Sequence, residues 1–330
     1  LALEKVRWGI IGCGEVTEVK SGPAFQKIEN SELVAVMRRT GALAKDYAER
    51  HNIPKWYDDA DALINDPAVD AVYIATPPAS HKEYTIKVAR EGKPVYVEKP
   101  MALNSVECEE MIAICKEAGV PLYVSFYRRA MPRFLKIKEL LDTKAIGEVR
   151  FVETTQYQQV AEDVLDPENL PWRVQPDLAG GGLFFDLASH TIDILDFLLG
   201  PIADVHGIAS NQAGHYPAED IVTGTYLFES GVHGVGSWCF SAFENVDKNE
   251  IVGSKGKISF STFSNDPIVL TTAEGTKEWS FEQPIHVHQP LIETIVADLT
   301  GLDSNGTCTG VTALRTSKVM EKMVKNHYQD

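Results

Sequence analysis

The sequence has 330 residues, 44% of them hydrophobic and 24% charged, a length and composition that suit two globular domains. With 31 Lys and Arg against 47 Asp and Glu the formal net charge is −16, which argues against non-specific binding to nucleic acid. No apolar run reaches the roughly 18–20 residues of a membrane span, so no membrane partner is expected.

The N-terminal stretch LALEKVRWGI lacks the length and flanks of a secretory signal. Five scattered cysteines, Cys13, Cys108, Cys115, Cys239 and Cys308, form no CxxC pair and read as reduced thiols. A cytoplasmic location is the expectation. Through residue 126 two periods alternate. VRWGII, LVAVM, AVYIAT, PVYVEK and PLYVSF read as strands, apolar on both faces. Between them GALAKDYAERHN, ASHKEYTIKVAREGK and NSVECEEMIAICKEAG read as amphipathic helices. Asn104 or Ser105 is a candidate N-cap, with Glu107 and Glu109 in the first turn, and Gly92 and Gly119 are candidate stops. Strands and helices in this order imply a parallel sheet covered on both sides.

Further along, EVRFVETTQYQQV and stretches of DIVTGTYLFESGVHGVGSWCFS alternate apolar and polar residues, and KNEIVGSKGKISFSTF carries a turn at Gly253–Gly256. One helix, GLFFDLASHTIDILDFLLG, interrupts these strands, and helical stretches near 289–301 and 310–326 follow. The expected fold is α/β: a dinucleotide-binding Rossmann domain over 1–126, then an α/β domain over 127–330 with a large, mostly antiparallel open sheet. The last helix is placed to pack back on the first domain.

VRWGIIGCGEVTEV sets Gly12-Cys13-Gly14 after a strand and before a helical stretch. In a dinucleotide site the first glycine makes the tight turn, and the second lets the backbone approach a pyrophosphate. The turn Gly12, Cys13, Gly14, Glu15, Val16 is thus a candidate cofactor loop, though a plain strand–helix turn has the same look. The third motif position holds Thr17 in place of Gly or Ala. An NAD site usually ends its second strand in Asp or Glu; here the positions are Arg38 and Arg39. Guanidinium groups clamp a 2′-phosphate with charge-assisted hydrogen bonds, so NADP(H) is the preferred cofactor, with NAD(H) second. The competing reading is an arginine pointing to solvent at a strand end.

GIIGCG, ATPPASH, GKPVYVEKPMALNSVECEEM, YRRAMPRFLKIKELL, PWR and GGGLFFDLASHTIDILDFLLG, in that order, resemble the Gfo/Idh/MocA oxidoreductases over nearly the whole chain. Glu98-Lys99-Pro100 and the Asp186-xxx-His190 helix are the most specific signals. The arginine pair makes the chain similar to NADP-dependent members such as 1,5-anhydrofructose reductase. The resemblance implies a cis Lys99–Pro100 peptide. It implies that Thr76, Pro77, Pro78, His81 and Glu98 lie by the cofactor, and that Trp172 and Arg173 reach it from the second domain. It further implies a homodimer or homotetramer formed through the C-terminal sheet.

Lys99, at the end of a parallel strand, is positioned to stabilise negative charge on a substrate oxygen. Asp186 and His190, four apart, share a helix face, and imidazole exchanges protons near neutral pH. The resemblance implies that His190 is the acid/base and that Asp186 binds substrate. Taken alone, the same pattern fits a buried, hydrogen-bonded helix face. Asp193 extends that face, but hydride transfer needs no metal and no fourth ligand is spaced for one. Tyr127 and Arg128 are candidates for contact with substrate or cofactor, and Tyr127 departs from the small polar residue of many relatives. His286 and His288, in PIHVHQP, alternate as a strand would and could reach the cleft, though such a pair is more often structural or solvent-facing. The leading function is NADP(H)-dependent hydride transfer to or from a sugar, cyclic polyol or related small molecule. The alternatives are a non-catalytic dinucleotide-sensing regulator and an NAD-dependent glycosidase.

Overall fold

The computed structural model describes residues 3–302 and 308–328. The chain divides by contact into two compact units, 1–131 with 284–314 and 132–283 with 315–330. This differs from a single boundary after 126. The helix Gln289–Leu299 buries Leu291, Ile292, Ile295 and Val296 among Trp8, Tyr96 and Tyr123 of the first unit. The helix Gly310–Met323 starts in the first unit, where Ala313 is buried in the core, and from Arg315 onward the chain clusters with the second unit.

The first unit is built on six parallel strands: β1 (Val6–Ile11), β2 (Ser31–Met37), β3 (Lys55–Tyr57), β4 (Ala71–Ile74), β5 (Val95–Val97) and β6 (Leu122–Val124). Their order is β3-β2-β1-β4-β5-β6. Nearly every residue of these strands except β3 is buried, because helices cover both faces. The strand order reverses at β1, and open parallel sheets bind ligands beyond the carboxyl ends at such a point. Local signals set the helix ends. The Asn104 side chain accepts the Glu107 N–H at 2.9 Å and caps Ser105–Ala118, which Gly119 ends at φ 70°.

The second unit carries an eight-stranded sheet of β7 (Val149–Tyr157), β8 (Ile202–Ser210), β9 (Ile221–Phe228), β10 (His233–Cys239), β11 (Val246–Gly253), β12 (Gly256–Phe260), β13 (Ile268–Thr272) and β14 (Gly275–Trp279). Its order is β14-β13-β12-β11-β7-β10-β9-β8, and all pairs are antiparallel except β7 with β10. Residues alternate between a buried face, with Val152, Tyr226, Trp238 and Ile251, and an open one. Gly234 and Gly236 lie in β10 because the rings of Tyr226 and Trp238 occupy the space a Cβ would need, at 2.0 and 2.2 Å. The stretch expected as one α-helix is a π-helix over Phe184–Ala188 and an α-helix over Ser189–Leu199. Asp186 therefore sits in a wider turn than a one-turn α spacing to His190 assumes, and such turns recur at functional sites.

Candidate active site

In the first unit, Gly12 turns the chain at φ +92°, where a Cβ would stand 3.0 Å from the Ala75 backbone. Gly14 is extended, and an added Cβ would meet only the Gly12 carbonyl, at 3.8 Å. There is open space over that backbone, as an approaching pyrophosphate requires. The following helix, Glu15–Val19, is five residues long, and its first-turn N–H groups, those of Glu15 and Val16, have no intrahelical acceptor. Thr17, the departure from the motif, is buried. Its hydroxyl donates to the Gly14 carbonyl at 2.8 Å, and its own carbonyl accepts the Tyr47 hydroxyl at 2.7 Å. Close backbone approach moves to Gly22, whose Cβ would stand 2.3 Å from the Thr17 oxygen. Cys13 points into the core, and burial pushes its thiol up to about 11, so it is inert at neutral pH.

Arg38 and Arg39 are both exposed just beyond β2, and the Arg38 N–H donates to the Tyr57 carbonyl at 3.2 Å. Thr76 and Pro77 follow β4 and remain partly open, while Pro78 is buried. The loop that holds them is tied by His81. This ring is fully buried, with Nε2 2.7 Å from the Thr76 carbonyl and Nδ1 3.1 Å from that of Pro100. Its two nitrogens face these carbonyls, the one N–H of the neutral ring donating to one of them, so it joins the loops after β4 and β5, and burial lowers its pKa.

Beyond β5, Lys99–Pro100 is cis, and Lys99 is half-buried. Glu98 lies beneath it and is buried; its carboxylate accepts the Tyr73 hydroxyl in a short bond and the Lys99 N–H at 3.2 Å. Burial raises the Glu98 pKa against the pull of Tyr73 and the Lys99 charge. Glu98 thus holds the Lys99 backbone from within. His288 stands 3.5 Å from the same carboxylate and 3.0 Å from the Ser125 hydroxyl, and its ring stacks on Tyr127 at 4.5 Å. Burial and the charges of Lys20, Lys99 and Arg128 lower its pKa to about 3, so it is neutral.

The PIHVHQP stretch forms no strand. It is a turn in which the Gln289 N–H donates to the His286 carbonyl at 2.8 Å, leading directly into a helix. Both histidines are buried. His286 bridges the Val19 carbonyl at 2.5 Å and the Lys27 ammonium at 2.7 Å, which fixes the end of the glycine-loop helix. Tyr127 carries the Arg128 guanidinium over its ring at 4.8 Å.

In the second unit, Asp186 is half-buried and pairs with Arg173, Nε to Oδ2 at 3.3 Å. The Arg173 guanidinium lies 4.7 Å from the centre of the Trp172 ring. The Trp-Arg pair, assigned from resemblance to the cofactor, thus holds a candidate catalytic carboxylate. His190 is buried, with its ring 5.8 Å from that of Phe263 and nearly perpendicular to it. Asp193 is buried and accepts the Thr316 hydroxyl at 3.4 Å. Among the described residues no group of three His, Cys, Asp or Glu side chains is arranged to hold a metal. Gly182 stands two residues before the π-helix, and its N–H lies 3.0 and 3.1 Å from the two oxygens of buried Glu219. The Tyr328 hydroxyl donates to the same carboxylate. Motif reading missed Glu219, Ser125 and Phe263, since none belongs to a spaced pattern.

A parallel sheet with a glycine turn at its switch point, two arginines after β2 and a lysine after β5 defines a dinucleotide-binding oxidoreductase. Residues 6–126 match the model for the oxidoreductase family with an NAD-binding Rossmann fold, and 134–259 match the GFO/IDH/MocA C-terminal domain. The chain is 42% identical to oxidoreductase P35 of Formosa agariphila, over 91% of this chain and 93% of that one. It is 28% identical to the scyllo-inositol 2-dehydrogenase (NAD(+)) of Bacillus subtilis, over 82% and 78%. The crystal structure of an aldose-aldose oxidoreductase from Caulobacter crescentus, complexed with glycerol, superimposes with a TM-score of 0.84 at 27% identity, covering 98% of each chain. The chain belongs to the GFO/IDH/MocA family of oxidoreductases, and no described helix is long and apolar enough to cross a membrane.

Proposed function

We propose that this protein transfers hydride between NADP(H) and a carbinol or carbonyl carbon of a sugar or cyclic polyol. A dinucleotide held by its pyrophosphate at the glycine turn would supply the hydride acceptor or donor. Gly12, Gly14 and the first-turn N–H groups of Glu15 and Val16 hold the pyrophosphate. Thr76, Pro77 and Pro78 line the same end of the sheet. Lys99, supported by Glu98, donates a hydrogen bond to the reacting oxygen and favours charge developing there. His190 takes the proton from a carbinol oxygen, or returns it to a carbonyl oxygen. Asp186, held by Arg173, binds neighbouring hydroxyls. Tyr127, stacked on neutral His288, is a further candidate for contact with substrate.

The observation that carries the reading is the set itself: an open backbone at Gly14, with Lys99, Asp186 and His190 in the one chain. Inositol and aldose chemistry among the similar proteins supports the substrate class. The preference for NADP(H), and a place nearer the NADP-using members such as 1,5-anhydrofructose reductase, rest on exposed Arg38 and Arg39. The relative that uses NAD(+) makes this the part most in need of a test. In the double variant Arg38→Asp, Arg39→Ser the NADP/NAD ratio of kcat/KM should fall about tenfold or more. An unchanged ratio would remove the arginines from cofactor choice.

Assembly is part of the same proposal. Phe151, Ile208, Leu227 and Val235 are exposed on one face of the second sheet, joined by the β7–β10–β9–β8 pairing. These apolar side chains, set among His233, Thr223 and Thr225 on the same face, fit a homodimer or homotetramer formed through this sheet.

A further inference from the structure

The loop that follows β12 has no regular structure, yet it is held from both sides. Asp247 accepts the N–H groups of Thr262, Phe263 and Ser264 at 2.9, 2.6 and 3.1 Å. Buried Arg133 collects carbonyls on the other side. It donates to Ser261 and Asp266 at 3.2 Å each, and to Ser264 in a shorter bond. A buried chain of hydrogen bonds then keys the loop to the helix of His190. Thr191 meets Thr262 hydroxyl to hydroxyl at 3.0 Å, Asn249 donates to Thr262 at 2.9 Å, and Thr154 donates to Asn249 at 2.9 Å. Ser261 and Thr262 are buried by this arrangement, while the Phe263 ring stays half-open against His190.

These contacts fix the distance between Phe263 and His190. A proton-transferring imidazole must come within about 2.6–3.2 Å of the reacting oxygen. The carbon bearing that oxygen is one bond further on. A molecule so placed has its nearest carbons in reach of a ring centred 5.8 Å from the imidazole. The face of an aromatic ring is negative and attracts weakly positive C–H groups. A cyclic polyol presents several such hydrogens on one flat side, whereas an open chain scatters them among its hydroxyls.

We infer that Phe263 is a specificity-determining residue, the apolar wall on which the C–H side of a ring-shaped polyol rests while His190 engages the reacting hydroxyl. This rests on the proposed hydride-transfer function. It predicts selection of cyclic over open-chain polyols with equal numbers of hydroxyls.

The test compares wild type with Phe263→Ala, Phe263→Leu and Phe263→Tyr. The probes are myo-inositol as the ring compound and D-mannitol as the open chain, six hydroxyls each, with NADP+ and NAD+, followed at 340 nm. Wild type should turn over the ring compound in preference to mannitol. Phe263→Ala should lower kcat/KM for that compound about 10–100-fold, mostly through KM, with the cofactor KM unchanged. Phe263→Tyr should retain most of the activity and Phe263→Leu should fall between; these two also serve if the alanine variant does not fold. Equal loss on rings and mannitol, a loss confined to kcat, or no loss overturns the inference alone, as does a wild type that prefers mannitol. No turnover of any probe by wild type overturns the hydride-transfer reading itself.

Discussion

Glu219 offers a test of the second unit that needs no substrate. Its carboxylate is buried with no cation beside it among the described residues; Asp220, Tyr216 and Tyr328 are the titratable groups that face it. Burial raises its pKa from 4.5 to about 7, against the hydrogen bonds from Tyr328 and the Gly182 N–H. The folded protein thus holds this proton more tightly than the unfolded chain does. The group's contribution to stability is full below pH 4.5, declines as pH rises through about 7, and stays lost above it. One pH unit of displacement corresponds to about 1.36 kcal/mol, so ionised Glu219 costs the fold about 3 kcal/mol at pH 8.5. A glutamine in its place would keep an oxygen for the Gly182 N–H and an amide N–H for the Tyr328 oxygen, without the charge. Urea unfolding of wild type and Glu219→Gln, followed by circular dichroism, should give similar midpoints at pH 4.5. At pH 8.5 the variant should be the more stable by up to about 3 kcal/mol. A difference that does not change with pH would refute a raised pKa at Glu219.

The two glycines of the cofactor turn should respond in opposite ways. Gly12→Ala strains a positive φ and drives a Cβ onto the Ala75 backbone, so it should lower Tm. Gly14→Val meets little protein and should leave Tm nearly unchanged while weakening NADPH binding, read by fluorescence titration, by about tenfold or more. His190→Ala should lower kcat roughly 10²-fold or more with NADPH affinity retained; an unchanged kcat would remove His190 from the proton transfer.

Much of the frame was legible because its signals are local. The two-sided apolar strands, the turn at Gly12, the cap at Asn104 and the stop at Gly119 each depend on neighbours within a few residues. So does the exposure of Arg38 and Arg39 past the end of β2. Where the pattern misled, a distant partner had decided the outcome. His286 and His288 alternate like strand residues, but flanking prolines and the Val19, Lys27, Ser125 and Tyr127 contacts make them a buried strap. His81 follows the loop assigned to the cofactor, and its place there is set by the Thr76 and Pro100 carbonyls that face its ring nitrogens.

The sequence by itself determined the parallel sheet, the glycine turn and the arginine pair, and it singled out Lys99, Asp186 and His190, the side chains to which the proposed function gives the chemistry. Periodicity and turn chemistry are carried by adjacent residues, so they survive in one dimension. Only the tertiary structure decided what supports those side chains. Glu98 and His288 meet although far apart along the chain, Arg173 finds Asp186, Glu219 receives Gly182, and Phe263 is held against His190 by Asp247 and Arg133. Burial sets their charge and long-range hydrogen bonds set their place, and neither is written in spacing along the chain.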